Sequence, residues 1–191
     1  MATKRLELGK DKCFQIHIGD NSPATCPDLN VHQDIMKKTS SEKYLGDIIT
    51  SSGKIDENIQ SRANKGNGSV NTIISLIEEI SFGHHTFEMG ILFRNSMLIN
   101  SLLSSSEALY GITENHVQIL EKCDRDLLTR LFSVPFTCSY EAVFLETGCI
   151  PIRFILQGRR LVYYWNILNK SEDELVKKVF LTQKSFSSKD D

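Results

Sequence analysis

The sequence predicts an α+β chain that is mostly α: a small antiparallel β portion, then four to five helices. Three observations carry this. Cys13–Ile18 alternates strictly, with Phe14, Ile16 and Ile18 on one face and Cys13, Gln15 and His17 on the other. From Ile55 the apolar period lengthens to steps of three and four, through Ile59, Ala63, Gly66, Val70, Ile73, Ile74, Ile77 and Ile80. Beyond that point, helix-boundary chemistry recurs: Thr113, Pro135, Gly148 and Pro151 all stand where helices begin or end.

Taken in order, residues 4–9 alternate weakly and Gly9–Asp11 form a turn before the strand at Cys13. Leu29–His32 reads as a short strand, and Tyr44–Thr50 as the last one, closed by Ser51-Ser52-Gly53. In the first helical stretch, Gly66 and Gly68 each cost about 1 kcal/mol relative to alanine. They imply a kink, a break or a close backbone approach. The second helix, 86–109, is apolar nearly all round and is expected to be central. A third spans 114–132, capped by Thr113, with Val117, Leu120, Leu127, Leu128 and Leu131 inward. A short helix at 139–147 precedes a long one at 151–169, which carries a polar strip of Arg153, Gln157 and Arg160. Residues 171–181 add a final helix, and Ser185–Asp191 reads as frayed.

Composition excludes some functions. The 191 residues are 40% hydrophobic with a net charge of −2, so there is no global basic surface for nucleic acid. Five cysteines at irregular spacing and a start without an apolar leader point to free thiols and an intracellular, cytoplasmic or nuclear setting. The most apolar window is broken by Glu88, Arg94, Asn95 and Asn100, which argues against a membrane span. Cys13 and His17 stand about 13 Å apart along an extended strand. With Cys26 and His32 they do not match the spacing of a zinc site, and no metal ligands are assigned. Arg94, in an apolar helix, is expected to reach a phosphate or to pair with Glu88 or Glu107. Asp124, in the third helix's apolar stripe, is expected to pair with an arginine, Arg153 being the candidate.

Several segments together resemble the reverse transcriptase of LINE-type (non-LTR) retrotransposons, from the end of the palm through the thumb. Leu6–Phe14, with Lys12 entering a strand, looks like that family's motif D, and Tyr44-Leu45-Gly46-Asp47-Ile48-Ile49 looks like its primer grip. Asn58-Ile59, Lys65-Gly66, Glu107-Ala108, Tyr110-Gly111, Leu120-Glu121 and Asp124 match further elements. Gly148–Ile155 and Arg159-Arg160-Leu161 complete the resemblance, which covers roughly residues 5–180. It implies a palm remnant at 1–54, a helical thumb at 55–170, and a short helix and tail at 171–191.

Such polymerases hold two magnesium ions on palm aspartates ahead of motif D, and here only Glu7 and Asp11 precede Lys12. The expectation is therefore an incomplete part of an RNA-directed DNA polymerase, truncated before the metal site. It has no catalytic residue and no cofactor of its own, because Mg²⁺ belongs to the missing palm. Its expected partners are an RNA/DNA template–primer, held weakly, and a protein at the exposed palm-docking surface, with no membrane. The residues implied for nucleic acid are Lys12, Tyr44, Leu45, Gly46, Arg62, Lys65, Arg153, Gln157 and Arg160. Each has a plainer reading: a surface lysine for Lys12, a glycine bulge in a buried strand for Tyr44-Leu45-Gly46, and a solvated face for the arginine strip. Tyr163, Tyr164 and Trp165 read either as base-stacking groups or as core. The alternative function is a helical interaction or structural module with no nucleic-acid role.

Overall fold

The computed structural model describes residues 13–18, 27–31, 34–80, 85–135 and 137–187. Among these the chain is mostly helical with a few small strands. It divides into two compact units between Ser61 and Arg62.

Among its described residues the first unit holds three two-stranded ladders. β1 (Phe14–Gln15) pairs with β4 (Lys37–Lys38) in parallel, β2 (Asn30–Val31) with β3 (Asp34–Ile35) antiparallel, and β5 (Ser41–Tyr44) with β6 (Asp47–Thr50) antiparallel. The expected all-antiparallel arrangement is corrected by the parallel pair. The strand at Cys13 is also shorter than its alternation suggested. Gln15 is tied by its side chain instead, donating to the Pro27 carbonyl at 2.9 Å and accepting from the Leu29 amide at 3.1 Å. Tyr44–Thr50 is not one strand. Leu45 and Gly46 form a two-residue turn with φ of 49° and 100°, and Tyr44 pairs back onto Asp47. Positive φ at both turn positions matches the right-handed twist of the two strands.

Helix α1 (Asp56–Ile80) starts in the first unit, where Asn58 donates to Asp47 at 3.2 Å, and continues into the second. It does not break at Gly66 or Gly68. At Gly66 a Cβ would collide with the Leu102 side chain, so this glycine permits a close helix approach, whereas Gly68 faces open space.

The second unit is the helical one. α2 (Thr86–Phe93) passes through a π-helical turn (Arg94–Leu98) into α3 (Ile99–Leu103) as one rod. The rod stops earlier than its apolar composition implied, because Ser104 is extended and Ser105 takes a left-handed φ of 56°. Leu92 and Phe87 are exposed, so the rod is central only along one side. α4 (Glu114–Leu131) is capped as expected: Thr113 accepts from the His116 amide at 3.4 Å, and His116 Nδ1 accepts from the Thr113 amide at 3.2 Å. α5 (Tyr140–Thr147) is capped by Ser139 and ends on Gly148 at φ 63°. α6 (Ile152–Leu168) begins after Pro151, and α7 (Leu175–Ser187) extends through residues expected to fray. The core consists of Val70, Ile73, Leu98, Leu102, Leu120, Leu127, Ile152 and Leu156, all nearly inaccessible. A smaller cluster sets Leu128 against Val143, Phe144 and Cys149.

Candidate nucleic-acid interface

Arg94, on the π turn, is only 1% exposed, and its partner Asp124 is fully buried. Its Nε and Nη2 each donate to Asp124 at 2.6 Å, Nη2 also donates to the Ile150 carbonyl at 2.9 Å, and Nη1 donates to Asn95 at 3.1 Å. The guanidinium lies 5.8 Å from the Phe144 ring. Burial works against the Arg94 charge, and the Asp124 carboxylate overcomes it, so the pKa is raised. Burial likewise pushes the Tyr140 hydroxyl upward, with Asp124 and Glu121 adding to the effect. Every nitrogen of Arg94 has a partner, so it clamps the π turn to α4 and to the α5–α6 connection. The expected pairings of Arg94 with Glu88 or Glu107, and of Asp124 with Arg153, are both replaced by this one.

Arg153 goes to other carboxylates. Its Nε and Nη2 donate to Glu121 at 2.8 Å each, and Nη2 also donates to Glu114 at 3.0 Å. The Glu121 hydrogen bonds are the main reason its pKa is raised. With two acidic partners, Arg153 is neutralised by the fold and is withdrawn as a phosphate contact. Arg62 is withdrawn as well. It is 3% exposed and donates to the Leu102 and Ser104 carbonyls, satisfying the C-terminal end of α3. Arg159 performs the same service for the Leu103 carbonyl at 2.9 Å.

Six expected residues of this set remain accessible. Lys65 and Gln157 are exposed. Arg160 is half-buried and makes no hydrogen bond or ion pair with any described residue. Tyr44, 64% exposed, Leu45, 89% exposed, and Gly46 form the tip of the β5–β6 hairpin in the first unit. Lys12 lies outside the described residues, as do Cys26 and His32 of the unassigned zinc set. Among the described residues no three His, Cys, Asp or Glu side chains converge as a metal site. No helix among them is long and apolar enough to cross a membrane.

Sequence reasoning missed one region. Arg160 faces a cavity of about 320 Å³, shared with Glu107, Tyr110 and Tyr163 and walled by the Val176 and Val179 side of α7. The Oε2 atom of Glu107 is inaccessible and has no hydrogen-bond partner among the described residues. Trp165, expected in the core if not stacking, is 67% exposed. It stands on α6 with Phe154, Leu161, Val162 and Leu168 in an uncovered apolar row.

No family model, curated protein or solved structure matches the chain.

Proposed function

We propose that the chain is a non-catalytic portion of an RNA-directed DNA polymerase of the non-LTR retrotransposon type, which holds a template–primer duplex by its backbone. The sequence resemblance supports this reading, and one observation carries it. Leu45 stands at φ 49° with 89% of its surface exposed, at the turn between Tyr44 and Gly46. A bulky side chain in the left-handed region is strained by roughly 1–3 kcal/mol. Burial returns almost nothing to offset that strain. A strained, exposed tip is what a surface shaped for an external partner requires, and the glycine beside it lets a phosphate backbone come close. Lys65 and Arg160 supply accessible positive charge on the helical unit. With so few phosphates neutralised, binding is weak and salt-sensitive.

The test is a filter-binding titration of an RNA–DNA hybrid over a salt series, using the full chain and Leu45→Asn. Asparagine tolerates the left-handed turn, so the variant is expected to be more stable by about 0.5–1 kcal/mol while binding the hybrid several-fold more weakly. Absence of salt-dependent binding by the parent chain overturns the reading.

A second reading is favoured by the uncovered row on α6: a helical module that engages a protein through Phe154, Leu161, Val162, Trp165 and Leu168. The same titration separates the two. A folded chain that ignores the hybrid at every salt concentration leaves only this second role.

A further inference from the structure

We infer that the uncovered row on α6 seats a second copy of this chain, whose own α6 lies antiparallel along it in a symmetric dimer. The inference rests on the second, protein-engaging reading and names the partner. Phe154, Gly158, Leu161, Trp165 and Leu168 follow at steps of four, three, four and three, the period of a seam between paired helices. All five are exposed, the four large ones by 50–70%. No contact with a described residue calls for a glycine at 158. Short of proline, glycine is the poorest residue for a helix interior, and nothing lies within 4 Å of where its Cβ would stand. At Gly66 and Gly90 that space is taken by Leu102 and Leu131. Gly68 is open too, but its neighbours one turn away are Asn64, Lys65, Asn71 and Thr72. Those of Gly158 are Phe154, Ile155, Leu161 and Val162, so Gly158 is a notch in an apolar ridge. A groove of about 640 Å³ opens over it, lined by Ile150, Phe154 and Val162.

Laid antiparallel about a twofold axis level with residues 159–160, the row complements itself. Leu161 of each copy enters the Gly158 notch of the other, Trp165 meets Phe154, and Leu168 meets Ile150, which is 59% exposed. A parallel pair would instead set notch against notch and tryptophan against tryptophan. Charge points the same way. Residues 150–169 contain no Asp or Glu. Of their arginines, Arg153 is held by Glu121 and Glu114, Arg159 by the Leu103 carbonyl, and Arg160 faces the α7 cavity. The row therefore offers nothing to an acidic or basic partner, and the centre of an interface is depleted in charge. Aromatic side chains carry roughly 150–250 Å² each, so the row with Ile150 and Val162 exposes on the order of 600–700 Å². That is the scale of the ~800 Å² per partner in a stable pair.

The experiment is sedimentation equilibrium of the full chain from about 1 to 100 μM. It is read beside the emission of Trp165, the chain's one tryptophan. The mass is expected to rise from 21.7 kDa to twice that, with the emission moving to shorter wavelength over the same range. Leu161→Glu should weaken the dimer at least roughly 30-fold, because a carboxylate would be carried into the notch. Gly158→Gln should weaken it similarly yet raise the melting temperature in dilute solution, so misfolding cannot explain the loss. Phe154→Lys and Trp165→Glu should each associate poorly alone and recover when mixed, since only the antiparallel pair brings those two charges together. Circular dichroism checks that each variant keeps its helices. A dimer that survives Leu161→Glu, or a mixture that fails to recover, overturns the pairing. A single-chain mass with solvent-like emission throughout also overturns it, and leaves the row to an unlike protein. Emission already at short wavelength in the monomer means that the chain covers the row itself, and the protein-engaging reading then falls with the dimer.

Discussion

Two glycines two positions apart on α1 play opposite parts. Gly66 stands against Leu102, with the Cβ of Cys123 also nearby, so an added methyl must displace packed atoms. Gly66→Ala is expected to destabilise by about 1–3 kcal/mol. Gly68 faces open space, and Gly68→Ala should stabilise by roughly 0.5–1 kcal/mol, because alanine lowers the entropy lost on forming the helix. Urea unfolding of the two variants measures both signs. Cys123 makes a pH-dependent contribution. Burial pushes its thiol from 9.0 up to about 11, with Asp126 and Asp124 adding, and its Sγ lies 3.6 Å from the Ala63 carbonyl. The fold thus favours the protonated thiol. Its contribution is intact below about pH 9 and is lost as the pH rises toward 11, because the unfolded chain ionises first. Stability measured across that window should fall less steeply in Cys123→Ala, by about 1–3 kcal/mol over the range.

At the scale of elements, two ion-pair systems secure α4, and they differ in what their loss costs. Arg94–Asp124 is almost inaccessible on both sides, whereas Arg153–Glu114 is 38% and 63% exposed. Asp124→Ala strands a buried guanidinium and is expected to cost about 3–5 kcal/mol. Glu114→Gln leaves Arg153 on Glu121 and in water, for less than about 1 kcal/mol. Thermal melts of the two variants give the comparison. The ends of these elements were legible in the sequence, since Thr113, Gly148 and Pro151 act through local backbone chemistry. Partner choice was not. The Arg94–Asp124 pair spans thirty residues and depends on how the rod lies against α4. The split of Tyr44–Thr50 into a hairpin escaped detection because Leu45 is not a residue that announces a left-handed turn. Alternation likewise located the strand at Cys13 but carried no information on its parallel partner.

Over the whole molecule, the near-neutral charge has a structural counterpart. Of the arginines that the sequence nominated for a polyanion, Arg62 and Arg153 are absorbed by the fold, one by carbonyls and one by carboxylates. The accessible remainder of that set is sparse: exposed Lys65 and Gln157 and half-buried Arg160 on the helical unit, together with the hairpin tip in the other unit. The Glu107 cavity was illegible for a related reason. Its residues come from a short turn, α6 and α7, and only the fold brings an acid from position 107 beside an arginine at 160. The apolar row on α6 was visible as composition, but whether it faced inward depended on how α6 was covered.

The π turn at Arg94–Leu98 has an implication for how this chain can change length. A π turn holds one residue more than a regular turn of helix, so a single-residue excision at its solvent-facing Asn95 or Ser96 can tighten the rod to ordinary α-helix. The sequences on either side keep their rotational phase: Gly90 still meets Leu131, and Leu102 still lies over Gly66. The same excision elsewhere in the rod would turn one half by about 100° against the other. Within this rod the π turn is therefore the place where one residue can be removed without scrambling the packing on either side.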